Sequence, residues 1–122
     1  MVARRLAAGA MALVATGAVA QPWRGDTYVT GPSPVLCMSP FKLEEGIKAA
    51  IAADSKWLAE AQCVRGPSGA PVIWVNESVR GAREWQVRLT LNGEGFTVWG
   101  MYYDFRTKDG RRIDEAGRPQ GK

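Results

Sequence analysis

Between Pro71 and Phe105 the chain carries the alternating apolar and polar positions that are typical of antiparallel strands. This segment divides into three runs, PVIWVNESV, REWQVRLTL and FTVWGMYYDF, which are separated by two short turns that contain glycine. In the middle run positions 85, 87, 89 and 91 are apolar and the positions between them are polar. The pattern predicts a three-stranded antiparallel meander with one buried face.

The two turns determine which side chains share a face. A three-residue turn at residues 80–82 would place Trp74 on the outer face, across from Arg88. The second turn, at residues 92–95, leaves two registers open: a four-residue loop puts Trp99 outside, whereas a three-residue loop with a bulge turns Val98 outward. The first hairpin would then bury four side chains, namely Ile73, Val75, Val87 and Leu89.

A helical pattern precedes the meander. Ser39 and Pro40 suit a helix start, and Glu44 and Glu45 favour the positive end of the helix dipole. The apolar positions follow i, i+3/i+4 spacing, which indicates one buried stripe: Leu43, Ile47, Ala50, Ile51, Trp57, Leu58 and Ala61. We therefore predict an α+β fold in which one N-terminal helix packs on the three-stranded meander.

Cys37 and Cys63 are the only cysteines and bracket this helical stretch. In an exported chain, two cysteines most simply form one disulfide. An unbroken helix from residue 40 to residue 62 would hold them about 34 Å apart at 1.5 Å per residue, too far for a bond. We expect the helix to start late, between Glu44 and Ile47. A break near Asp54 and an intermolecular disulfide remain the alternatives.

The first twenty residues have the three regions of a Sec-type signal peptide. Arg4 and Arg5 give the positive start, an alanine-rich apolar run follows, and Ala18-Val19-Ala20 supplies the small residues before cleavage. The apolar run is too short and too rich in alanine for a membrane anchor. We predict export to the periplasm or the medium after cleavage at Ala20, with no integral membrane segment left. An extended arm (residues 21–39), one domain (40–113) and a flexible basic tail (114–122) would follow.

Signal removal lowers the net charge. The full chain has 16 basic and 12 acidic residues, and Arg4 and Arg5 leave with the signal, so the balance becomes 14 − 12 = +2. This value gives no case for nucleic-acid binding. The positive charge is concentrated at the end of the chain, where residues 106–122 carry six basic and three acidic side chains.

Catalytic signals are missing from the sequence. The chain contains no histidine, which excludes Ser-His-Asp, Cys-His and histidine-based metal sites. We find no phosphate-binding glycine loop, no catalytic constellation and no cofactor motif, and Asp54 and Glu77 are the only acids that a pocket between helix and sheet could use. We predict a non-enzymatic protein without metal or cofactor.

The aromatic side chains offer the main functional hypothesis. Five tryptophans in so short a chain cannot all lie in one small core. The register above aligns Trp74, Arg88 and Trp99 on the outer sheet face, with Met101 and Tyr103 beside them, and such residues dominate protein–protein hot spots. We expect this face to bind another protein. Alternatively the chain is a structural or accessory envelope protein whose aromatic face is covered by its own arm or by a homodimer.

The order of elements resembles the PepSY type of small envelope domain. The resemblance rests on the lead helix at residues 44–51, the middle strand at residues 84–89 and the closing segment Asp104-Phe105-Arg106-Thr107 through Asp109-Gly110. It covers most of residues 40–113, although Lys108 and Asp109 interrupt the family's Thr-Gly. The resemblance implies a non-enzymatic binding or inhibitory module outside the cytoplasm.

Overall fold

The computed structural model describes residues 25–121, so the predicted signal peptide and Trp23 lie outside the described residues. Its main element is a curled, wholly antiparallel sheet of seven strands. In chain order the strands are β1 (Thr27–Thr30), β2 (Val35–Cys37), β3 (Cys63–Arg65), β4 (Pro71–Ser78), β5 (Gly81–Leu91), β6 (Glu94–Met101) and β7 (Phe105–Arg106).

The order of strands across the sheet is β3–β2–β6–β5–β4–β1–β7. The predicted meander is present as β4–β5–β6, but four further strands flank it, so the predicted fold of one helix on a three-stranded sheet is wrong. The expected arm contributes β1 and β2 to the sheet interior. These added strands are two to four residues long, too short to show an alternating pattern in the sequence.

A bulge in β4 overturns the predicted face of Trp74. Near the first turn the observed pairs, Asn76 with Gln86 and Glu77 with Trp85, follow the predicted register. The register then shifts by one residue between Trp74 and Asn76, so that Trp74 pairs with Val87. Because a one-residue shift exchanges the two faces of a strand, Trp74 points into the core and its neighbours turn outward.

The second turn contains only Asn92 and Gly93, whose φ angles of 51° and 83° give a tight hairpin. This turn moves β6 by two residues relative to the predicted four-residue loop. The faces are therefore preserved, and Trp99 remains on the same side as Arg88. Its partner across the ladder is Gln86, whereas Arg88 faces Thr97.

The helical stretch is broken. A 3₁₀ turn at Pro40–Lys42, capped by Ser39, leads into α1 (Leu43–Ile51), and α2 (Ser55–Glu60) follows after a short reversal. Ala53 has a positive φ of 54°, and the Asp54 side chain caps α2 by accepting a 3.0 Å bond from the Trp57 amide. The break near Asp54, one of the alternatives, is what the structure shows, and the expected late start is wrong.

Two hydrophobic cores lie on opposite faces of the sheet. The concave face encloses the larger core, which is centred on Trp85 and also contains Tyr28, Trp74, Val87 and Phe105. The helices cover the other face, where Leu43 packs against the disulfide between β2 and β3. The Cys37–Cys63 bond within one chain confirms the predicted disulfide and rules out the intermolecular alternative.

The end of the described chain closes the concave core. Ile113 and Ala116 are buried, and Trp85 donates an indole hydrogen bond of 3.3 Å to the carbonyl of Glu115. Asp114 ties the segment into a turn by accepting hydrogen bonds from the backbone N–H groups of Ala116 and Arg118. The structure thus places most of the expected flexible tail against the protein body.

Candidate binding cleft

The predicted binding row does not assemble. Trp74 is only 6% exposed, and its ring makes an edge contact with Trp85 at a centroid distance of 6.5 Å inside the concave core. It therefore cannot line an outer face together with Arg88. The bulge in β4 has no signature in the sequence that would have revealed this burial.

The other members of the row are separated as well. Trp99 and Met101 lie on the outer face, but both pack into the core beneath the helices. Arg88 is exposed and lies over the start of β6, where a Cβ placed on Gly95 would come within 2.9 Å of the Arg88 Nε atom. Tyr103, which is 43% exposed, lines one surface concavity, whereas Met101 lines a different one beside the acidic side chains Glu44 and Glu84.

Tyr103 opens onto a cleft of about 390 Å³, which we call the tyrosine–arginine cleft. It is formed where the chain leaves β6, passes through β7 and returns. Its lining contains two phenols, two guanidinium groups and no carboxylate: Tyr102, Tyr103, Arg106, Arg112, Ile113 and Gln120. Three other concavities of the described chain contain acidic side chains, and a fourth, which has none, contains no arginine.

A 3₁₀ turn at Tyr102–Asp104 positions the two tyrosines. The turn brings the neighbouring rings into an edge contact with their centroids 5.6 Å apart. Arg83, on β5, extends its guanidinium carbon to 5.9 Å from the Tyr102 ring centroid, within the range of a cation–π contact. The aromatic wall of the cleft is therefore bordered by a third positive charge.

Arg106 is held in place by its own backbone surroundings. Its Nη1 donates hydrogen bonds to the carbonyl oxygens of Tyr103 and Phe105, at 2.9 and 3.1 Å. The guanidinium also lies over Gly31, where a Cβ atom would come within 2.9 Å of the same Nη1. These contacts fix the Arg106 side chain before any ligand arrives.

Arg112 faces Arg106 across a short antiparallel bridge. Four ion pairs occur among residues 25–121, and none of them includes either of these two arginines. The Arg112 carbonyl accepts a 2.7 Å bond from the Gln120 amide, which closes one wall of the cleft. Two positive charges thus share one small cleft without an acidic partner at ion-pair distance.

Titratable groups around the turn have shifted pKa values. Burial, reinforced by the neighbouring Asp104 carboxylate, raises the pKa of Tyr103, so its phenol remains a hydrogen-bond donor at neutral pH. Burial also raises the pKa of Asp104, although a 3.1 Å hydrogen bond from the Val35 amide and the nearby Arg106 oppose the change.

The side chains of the cleft can bind an anion. Guanidinium and phenol groups donate hydrogen bonds and attract anions, but the lining offers no nucleophile next to a base. Across residues 25–121, no group of three or more potential ligand side chains is placed to hold a metal ion. Asp54 and Glu77, the acids named for a pocket between helix and sheet, lie apart: one caps α2 and the other sits on β4.

Part of this cleft could be inferred from the sequence. The turn signal at Thr107–Gly110 and the excess of basic residues after Phe105 were both visible. What the sequence did not show was that the segment after the turn folds back, so that Arg112 lies opposite Arg106 and Gln120 reaches the same wall.

Comparisons with known proteins return nothing: no family model matches the chain, and no curated protein or solved structure is significantly similar to it. The resemblance to PepSY domains therefore stays a prediction, and the helix-on-meander arrangement it implied is not observed. The disulfide indicates an oxidising, extracytoplasmic environment. Within the described part of the chain, none of the helices has the length and apolarity that crossing a membrane requires.

Proposed function

We propose that this chain is a small exported, non-enzymatic protein that binds another protein through the tyrosine–arginine cleft. The observation that supports the proposal is the pair of guanidinium groups, Arg106 and Arg112, which face a cleft with two tyrosines and have no ion-pair partner among residues 25–121. Tyrosine and arginine are enriched among the residues that dominate the binding energy of protein interfaces.

The proposal includes the route of export. Residues 1–20 act as a Sec-type signal peptide that is removed after Ala20, and the mature protein resides in the periplasm or the medium. The disulfide supports this assignment, because such bonds persist in oxidising compartments. The PepSY-like role, a binding or inhibitory module of the cell envelope, is consistent with a protein-binding cleft.

The proposed surface differs from the one that the sequence favoured. Of the predicted residues, Tyr103 lines the cleft, and Arg83 and Arg112 replace Arg88 as the accessible arginines near an aromatic ring. Docking needs a surface that is open in the free protein. The indoles of Trp74 and Trp99 already pack within the two cores, so they do not provide one.

The test compares two arginine variants with the same change in charge. Arg112→Ala removes a cleft guanidinium, whereas Arg88→Ala removes the exposed guanidinium of the predicted row. We expect a partner cross-linked to the wild-type protein in envelope extract, then purified, to bind Arg112→Ala at least tenfold more weakly, or about 1.4 kcal/mol. Binding to Arg88→Ala should stay within about twofold of the wild type.

Both variants should first be shown to unfold at the wild-type urea concentration, since each side chain is exposed. If Arg88→Ala lost binding and Arg112→Ala kept it, the partner would not bind at the cleft, and the sheet face would again be the expected contact surface. Equal binding by all three proteins would exclude both surfaces.

A second candidate is a structural or accessory envelope protein with no partner at the cleft. It is favoured by the burial of Trp74 and Trp85 in the concave core and by the position of Trp99 beneath the helices, because the chain itself covers much of its aromatic surface. Under this hypothesis neither arginine variant changes any association.

A further inference from the structure

We infer that the tyrosine–arginine cleft recognises a carboxylate on an acidic segment of its protein partner, with Arg112 as the group that pairs with it. This inference rests on the proposed function, because it names the chemistry that the partner presents to the same cleft. It adds a ligand class and assigns separate roles to the two arginines.

The arginine pair in the cleft carries an electrostatic cost. Arg106 and Arg112 occupy directly opposite positions on the bridged strands, and like charges in such positions destabilise a sheet. Asp104 lies near enough to Arg106 for an electrostatic interaction, but neither arginine forms an ion pair with an acidic side chain of residues 25–121. An anion bound between the two guanidiniums would relieve this repulsion.

The two guanidiniums are held in different ways. Arg106 is fixed by two backbone carbonyls and by its contact with Gly31, so it supplies a positive charge at a set position. Arg112 makes no ion pair within the described chain and is exposed, so its planar fork is available for two parallel bonds to a carboxylate. Arg106 therefore acts as a positioning charge and Arg112 as the contacting group.

The composition of the cleft suits a protein carboxylate better than the phosphate of a lipid surface. Anionic membranes attract clusters of about four to eight basic residues, whereas the cleft lining has two, with Arg83 at its border, and combines them with two tyrosines and the side chain of Ile113. An aromatic and aliphatic wall suits the methylene and apolar groups that flank an acid in a peptide. The cleft volume of about 390 Å³ falls within the range of pockets that hold small ligands.

The experiment titrates the oxidised protein with two short peptides and follows its backbone amide signals by NMR. One peptide carries two adjacent glutamates between alanine and tyrosine residues, and its match replaces both glutamates by glutamine. We expect the glutamate peptide to shift the amide signals of residues 102–113 and to bind at least tenfold more tightly than the glutamine peptide. Its binding should weaken as NaCl is added, because salt screens the attraction between the charges.

Variants assign the effect to the cleft. Arg112→Ala should abolish the preference for the glutamate peptide, and Arg112→Lys should restore it only in part, because an ammonium lacks the planar fork. Arg88→Ala, with the same loss of charge, should keep the full preference. Equal binding of the two peptides, absence of binding by both, or an unchanged preference in Arg112→Ala would each overturn the inference.

Phosphate probes test the alternative source of negative charge. If inorganic phosphate, or vesicles that contain phosphatidylglycerol, shifted the same amides more strongly than the glutamate peptide, the carboxylate assignment would be wrong.

The experiments distinguish failure of the carboxylate assignment from failure of the proposed partner surface. A silent peptide titration with partner capture that still depends on Arg112 overturns only the carboxylate assignment. A positive titration with capture that ignores Arg112 overturns only the proposed partner surface.

Discussion

Gly46 is the position at which helix α1 meets the disulfide. A Cβ atom placed there would lie 2.5 Å from the Cys63 sulfur and 3.0 Å from the Cys37 sulfur. Both sulfurs are tied into the sheet and cannot move aside as the end of a flexible side chain could. The residue that weakens the helix in the sequence is thus the residue that lets the helix pack on β2 and β3.

We predict that Gly46→Ala destabilises the protein. Alanine would favour the helix by up to about 1 kcal/mol relative to glycine, but overpacking a core contact costs about 1–3 kcal/mol. The expected net loss in the free energy of unfolding is about 1–2 kcal/mol, measured by urea denaturation with thiol titration to confirm that the disulfide is intact. Gly121→Ala is the control, since a Cβ there meets nothing within 4 Å. A Gly46→Ala variant as stable as the wild type would refute the contact.

Single residues also explain why the binding row was mispredicted. Trp74 and Trp99 have similar sequence surroundings, since each has one apolar and one polar residue two positions away. Their faces differ only because the register shifts between Trp74 and Asn76, and a tryptophan in an alternating strand gives no sign of which side will be buried. The sequence identifies the two tryptophans but does not show to which face of the sheet each side chain points.

At the scale of elements, Asp104 links the end of β6 to the segment between β1 and β2 by hydrogen bonds. Its side chain accepts a 3.1 Å hydrogen bond from the Val35 amide at the start of β2, and its carbonyl accepts a 2.7 Å bond from the Gly31 amide. The 3₁₀ turn that carries both cleft tyrosines is fastened in this way to the connection between β1 and β2.

Asp104→Asn should change how stability depends on pH. Burial raises the pKa of Asp104 above 3.8, so between pH 3.8 and the raised value the folded state binds more protons than the unfolded state. The free energy of unfolding from this group therefore falls as pH rises through that window. Asparagine keeps an oxygen acceptor for the Val35 amide but has no charge to bury.

We expect Asp104→Asn to be at least as stable as the wild type at pH 7, and its advantage to shrink as pH falls towards 3.8. Urea denaturation at half-unit steps of pH measures the difference, and Glu60→Gln, on the exposed surface of α2, controls for the loss of one carboxyl group. An advantage that grew towards acid pH would show that the Asp104 carboxylate stabilises the fold.

Element lengths explain which parts of the sheet could be predicted. Strands β4, β5 and β6 have eight to eleven residues and show their alternation clearly. Thr27–Thr30 lies within the extended arm predicted at residues 21–39, yet it forms a strand that pairs with β4 on one side and β7 on the other. Strands β2, β3 and β7 have three residues or fewer, and only their partners define them.

At the scale of the whole molecule, the curled sheet has two faces to cover and uses different parts of the chain for each. The two helices and the disulfide cover one side of β2 and β6, and the C-terminal segment covers the concave core. The segment that lines the cleft is therefore also the segment that closes the core.

Ile113→Ala tests this closure. Ile113 is 5% exposed and belongs to the core around Trp85, so its truncation should lower the free energy of unfolding by about 2–4 kcal/mol. Ile51→Ala is the matched control, because Ile51 is 81% exposed on α1 and should change stability by about 0.5 kcal/mol or less. Urea denaturation followed by tryptophan fluorescence measures both. Equal stabilities would show that Ile113 does not close the core, as expected if the chain from here on behaves like the flexible tail predicted at residues 114–122.

The sequence by itself determined the three long strands, the helical stretch with its two possible forms, the pairing of Cys37 with Cys63 and the concentration of positive charge near the end of the chain. These features depend on local periodicity, turn residues and composition, which adjacent residues carry. The tertiary structure alone decided the curling of the sheet, the short flanking strands, the burial of Trp74 and the meeting of Arg106 with Arg112. Each of these depends on pairing between segments that are distant in sequence or on a one-residue bulge, and their energies arise only when the partners are packed together.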